Sequence, residues 1–171
     1  VGFSNTDLGY QATTWLITKG YKTIACVGPQ NRPRAQERQA GYQQAMEAAD
    51  RGGTANTYWA EATIASGGDA LQALMAGDTP PDAILFNGDA LAIGAHFRGS
   101  AMGLKFPKDV ALMGVHNTPI TAEISPSLST VHIPGDKIGG LAAKAILEKL
   151  KDSSAGRSER LEIEIIGRET T

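Results

Sequence analysis

Apolar and polar positions along this chain alternate in two rhythms, one helical and one extended. Leu8, Ala12, Trp15 and Leu16 recur at helical spacing, and Gly20 closes that segment. "TIACVG" (23–28) is a short β-branched run ending at a Gly-Pro turn, which predicts a strand. Tyr42, Ala45, Met46 and Ala49 mark a second helix, closed by Gly52-Gly53. "NTYWA" (56–60) reads as a weak strand, and Leu71, Leu74 and Met75 as a short helix ended by Gly77. "DAILFN" (82–87), introduced by Pro80-Pro81, predicts a strong strand, and residues 89–103 a helix apolar nearly all round. "VALMGV" (110–115) is the next strand. A loop rich in Thr, Ser and Pro runs from 117 to 129, and "STVHI" (129–133) is extended. Ile138, Leu141, Ala142, Ala145, Ile146 and Leu150 give one more amphipathic helix. "SSAGRSE" (153–159) is a polar loop, and "LEIEIIG" (161–167) a last strand whose alternation puts it at a sheet edge.

Strands that alternate with helices predict a three-layer α/β/α fold, a parallel sheet with helices on both faces. Ligands of such sheets sit at the carboxyl ends of the strands. The loops at 28–38, 59–66, 87–89 and 115–119 are therefore the places to look for function.

Composition narrows the classes. The 171 residues are 42% hydrophobic and 20% charged, as a globular chain is. The formal net charge of −2, with no broad basic patch, does not point to nucleic acid or a membrane surface. The single cysteine, Cys26, lies in an apolar run and reads as a buried core thiol in a reducing compartment. No apolar run approaches the ~18 residues of a membrane helix. The chain starts without Met in the apolar run "VGF", which reads as a cut rather than a natural start.

Enzyme motifs are missing. No Gly-rich phosphate loop with its lysine, dinucleotide fingerprint or nucleophile elbow is present. His96, His116 and His132 show no metal-ligand spacing, and no acid and base pair stands out. No catalytic residue, metal or cofactor is expected. Three places remain. Asp89 follows a strand and opens a helix, so its main role is expected to be an N-cap, worth about 1 kcal/mol. Asn87 and Gly88 just before it can still offer polar groups to a cleft. Arg32, Arg34 and Arg38 follow strand 23–28. Any one of them fits a solvated turn, but three guanidiniums at one strand end suit a carboxylate or a row of sugar hydroxyls. His116 and Asn117 follow strand 110–115 and read equally as turn residues or as ligand contacts.

The order and spacing of "LITKGYKTIACVG", "RQAGYQQAM", "PDAILFNGDALAIGA", "GLKFPKDVALMGV", "PSLSTVHIP", "IGGLAAKAILEKL" and "GRETT" resemble the effector-binding domain of LacI/GalR-family transcriptional regulators, nearly end to end. "VGFSN" and "GVHN" are most similar to the gluconate-repressor branch. The resemblance implies a type I periplasmic-binding-protein-like fold, two lobes that hold a small molecule between them. It implies that residues 1–130 form the carboxyl-side lobe. Residues 131–159 would be a strand and helix of the other lobe, and 160–171 a return strand. The rest of that lobe and a DNA-binding helix-turn-helix headpiece would precede Val1. Operator DNA would then be met only through the headpiece, in a cytoplasmic homodimer with no membrane contact.

By the same resemblance Arg38 contacts the effector, Arg34 or Arg32 adds a second contact, and Asn87, Asp89, His116 and Ser4 line the cleft. His116 and Ser4 stand where the family often has aspartates, and Asn87 stands one residue before the family's usual asparagine. With cleft carboxylates lost and arginines kept, a sugar acid such as gluconate is expected rather than a neutral sugar. One like charge 4 Å away costs about 4 kcal/mol at an effective dielectric near 20. The dimer surface is expected on helix 89–103, with Ile93, His96 and Phe97 outward; the alternative is that these residues are simply buried within the monomer. A periplasmic-type sugar-binding protein of a transporter is the rival reading.

Overall fold

The computed structural model describes residues 1–152 and 158–171. Most of the polar loop expected over 153–159 therefore lies outside the described residues. Among the described residues six α-helices and six strands follow in the order α1 (Asn5–Thr18), β1 (Ile24–Gly28), α2 (Pro33–Ala48), β2 (Asn56–Trp59), α3 (Ile64–Met75), β3 (Ala83–Phe86), α4 (Asp89–Ala101), β4 (Ala111–Val115), α5 (Ile120–Glu123), β5 (Ser129–His132), α6 (Gly135–Lys151) and β6 (Glu164–Ile166). A short 3-10 turn covers Gly52–Thr54.

The strands form one sheet in the order β2-β1-β3-β4-β5-β6. Every pair is parallel except β5 with β6, which is antiparallel. The central strands β1, β3 and β4 are buried at every position, because helices cover both of their faces. One core lies under α3 and α4, built on Phe86, Ile84, Leu71 and Leu91. The other lies under α1 and α2, built on Leu8, Leu16, Tyr42, Leu85 and Met113. The three-layer expectation holds.

The helix pairs meet backbone to backbone. A Cβ on Gly9 would stand 1.9 Å from the Arg38 carbonyl oxygen, and one on Gly41 1.9 Å from that of Thr6. Gly94 sits in the same way against Ile64, where a Cβ would be 1.8 Å from the carbonyl oxygen. Only glycine permits these approaches, and they fix where the amino ends of α2 and α4 stand above the sheet.

Strand β5 pairs Val131 with Val115 of β4 and buries it in the core under α1 and α2, so it is part of this sheet. The last strand is at an edge, as its alternation implied, but it runs against the sheet because the chain returns directly alongside β5. Ile93 and His96 do not face outward: they are 5% and 3% exposed. Ile93 packs in the core under α3 and α4. The His96 ring lies against Phe106, and its Nε2–H donates to the Pro126 carbonyl over 2.9 Å. Of the three residues, Phe97 is the exposed one, at 47%. Helix α6 buries none of its residues, and Ile146, Leu147 and Leu150 are open to solvent.

Candidate functional site

At the carboxyl ends of β1, β3 and β4 the turns enclose a hollow of about 340 Å³. Arg32, Arg34 and Arg38 line it from one side, Asn87, Gly88 and Asp89 from the floor, and His116 and Thr118 from the other. Six of the seven expected ligand residues therefore come together. Ser4 does not. Its hydroxyl caps α1 by accepting from the Asp7 backbone N–H at 3.1 Å, and it lines a different hollow beside Arg160.

Pro33 starts α2 inside the stretch read as a loop over 28–38, since proline has no N–H to lose at a first helical position. Arg34 and Arg38 are thereby one helical turn apart on one face. Arg38 is buried, 5% exposed, and held at both ends. Its Nε donates to Asn5 Oδ1 at 2.9 Å and Nη1 to the Asn87 carbonyl at 2.7 Å. Burial, and then the nearby charge of Arg34, lower its pKa to about 10, so it stays cationic at neutral pH.

Asp89 was expected to cap α4, and it does not. Gly88 is the N-cap, and no side chain caps that end. The Asp89 carboxylate instead accepts from the Thr118 N–H at 2.7 Å, the Thr118 hydroxyl at 2.9 Å and the Thr130 hydroxyl at 2.7 Å. It ties the end of β4 and strand β5 to α4. Helix α2 also lacks a side-chain cap at Arg32. Two helix amino ends without a side-chain cap, each with a partial positive charge, thus border the hollow.

Asn87 is buried, with its Oδ1 unpartnered and its Nδ2 3.9 Å from Cys26 Sγ. Burial pushes the Cys26 thiol up to about 12, so it is an inert core group. His116 has φ 112 and Asn117 φ 54, both left-handed values that cost non-glycine residues about 1–3 kcal/mol each. The His116 ring lies over Gly88: a Cβ there would be 3.7 Å from its Cε1. Burial first, then Arg38, hold His116 below the ordinary histidine value, Arg34 adding to this and Asp89 opposing it. Thr118, Thr130 and Asn5 escaped the sequence reading. Thr118 lies two residues after His116, Thr130 within β5 and Asn5 next to Ser4, and no local pattern marks them. Among the described residues no group of three or more His, Cys, Asp or Glu side chains is placed to hold a metal ion. Nor, among them, is any helix long and apolar enough to cross a membrane.

A family model described as a periplasmic binding protein-like domain matches residues 13–171. The chain belongs to this family. This periplasmic binding protein-like chain is 30% identical over 176 residues to the HTH-type transcriptional repressor CytR of Escherichia coli strain K12, covering 100% of this chain and 51% of that protein. Transcription regulator GntR from Chromobacterium violaceum has the same fold, with a TM-score of 0.89 and 32% identity over 99% of this chain and 64% of that one. A LacI family transcriptional regulator from Mycobacterium smegmatis follows it with a TM-score of 0.85 and 27% identity, covering 99% and 64%. The periplasmic binding protein-like chain spans about half the length of the curated relatives it matches.

Proposed function

We propose that this chain is the carboxyl-side half of the effector-binding domain of a LacI-family transcriptional repressor, and that its hollow takes an anionic sugar derivative such as gluconate. The observation that carries this reading is the charge around the hollow. Three guanidiniums and two uncapped helix amino ends face it, against the one carboxylate of Asp89. That carboxylate already accepts three hydrogen bonds from the protein. An anion gains from every one of these features, whereas a neutral sugar uses only the hydrogen bonds.

A second lobe set against the strand ends would close the hollow. Effector binding would then select one angle between lobes, and a homodimer would pass that angle on to DNA-binding segments elsewhere in the whole cytoplasmic protein. The similarity to the repressor CytR and the regulator GntR supports this regulatory role over transport. Calorimetry on the full-length protein tests it: gluconate releases or absorbs heat with a saturable isotherm, and glucose does so far more weakly. Tight glucose or ribose binding with no heat from gluconate would overturn it.

A further inference from the structure

The turn that carries His116 is held by a residue that lies nowhere on the hollow. Arg168, two residues beyond β6 and half-buried, spreads its guanidinium over three acceptors. Nη2 donates to Asn117 Oδ1 at 2.7 Å, and Nη1 to the Leu128 carbonyl at 2.6 Å and the Thr121 hydroxyl at 3.1 Å. The Thr121 hydroxyl in turn donates to the Thr118 carbonyl at 2.7 Å, and Thr118 is bound to Asp89. The Asn117 N–H donates to the Thr130 hydroxyl at 3.2 Å, which itself donates to Asp89.

We infer that Arg168 is a positioning residue for the ligand hollow: by fastening Asn117 it holds the left-handed His116-Asn117 pair and so sets where the His116 ring faces the site. The physical reason is strain. Two consecutive non-glycine residues at positive φ persist only when their surroundings over-determine them. Asn117 is gripped on its side chain by Arg168 and on its N–H by Thr130, while the His116 N–H is bound to the Val131 carbonyl at 2.8 Å. With the side-chain grip removed, the pair relaxes and the His116 ring leaves Gly88. The charges that face that ring are Arg38 and Arg34 from α2 and Asp89 from α4, so its titration reports its place among them.

The inference rests on the hollow being the effector site, and its test separates the two. Asn117→Gly deletes the acceptor of Arg168 and leaves residue 117 free to keep or leave the left-handed region at no steric cost. It leaves the Leu128 and Thr121 bonds intact, so the tail stays anchored. Asn117→Asp keeps an acceptor and tolerates the same backbone. Arg168→Lys keeps the charge but cannot fork over three partners. In the full-length protein, NMR titration of the His116 ring proton is the deciding readout, with calorimetry against gluconate beside it. Asn117→Gly and Arg168→Lys are expected to move the His116 midpoint up toward the ordinary histidine value and to weaken gluconate by about tenfold. Asn117→Asp is expected to restore a midpoint close to wild type. A folded Asn117→Gly protein whose His116 midpoint does not move overturns the inference, as does Asn117→Asp behaving like Asn117→Gly. If wild type takes up no gluconate, the effector reading fails, and the His116 midpoint still decides the role of Arg168.

Discussion

Asp89 on α4 and Thr118 beyond β4 are joined twice, the carboxylate accepting from the threonine's N–H at 2.7 Å and from its hydroxyl at 2.9 Å. With the Thr130 hydroxyl at 2.7 Å, three donors depend on one buried side chain. Asp89→Ala is therefore expected to destabilise the fold by about 3 kcal/mol, because these donors lose their partner inside the protein. Asp89→Asn keeps one acceptor oxygen and is expected to lose less. Urea unfolding of the two variants checks the order; equal stability of Asp89→Ala and wild type would contradict it.

The arginines should divide unequally. Arg38 is buried and fixed by Asn5 and Asn87, whereas Arg34 and Arg32 are exposed. Arg38→Ala is expected to weaken gluconate by about a hundredfold and Arg34→Ala by about tenfold or less. Arg38→Lys should not rescue, since an ammonium cannot span both anchors and still face the hollow. Isotherms on each variant, repeated at high salt, would show the Arg34 contribution fading first.

Gly9→Ala and Gly41→Ala are each expected to cost about 3 kcal/mol, because the added methyl meets a carbonyl oxygen 1.9 Å away and helix backbones must part. Gly135→Ala, where a Cβ would meet nothing within 4 Å, is the control and should be neutral. Thermal melts of the three variants make the comparison.

Stability should fall as pH drops through the histidine range. His96 and His116 both titrate below the ordinary value, mainly through burial. The unfolded chain then binds more protons than the folded one between the folded values and about 6.5, so stability rises with pH across that window. For His96 the added proton must go to Nδ1, which is buried without a partner. Melting temperatures from pH 7 down to pH 5.5 should decline, and less steeply in His96→Gln. An unchanged slope in that variant would refute the role given to His96.

What could be read from the chain alone followed burial. The strands β1, β3 and β4 stood out because both faces are covered and nearly every residue is apolar. Arg32, Arg34, Arg38, Asn87 and His116 could be gathered because parallel strands end on one side of their sheet. Asp89 was misjudged because a cap is a local pattern, while its real partners Thr118 and Thr130 are 29 and 41 residues away. Ile93 and His96 were placed outward because a helix apolar all round carries no mark of which side meets the core. Arg168 stands in the "GRETT" segment that helped carry the resemblance, but nothing local marked its role, since its bond to Asn117 joins residues 51 apart.

The antiparallel pairing of β5 with β6 has a mechanical consequence. The chain leaves the sheet along β5 toward α6 and comes back along β6, so outgoing and returning strands share one ladder. A torque applied at α6 would meet the hollow through two levers: the Val131 carbonyl, which holds the His116 N–H, and Arg168, which holds Asn117. Both levers end on neighbouring residues of one turn, so swinging the helix would reshape the rim of the hollow in the same stroke.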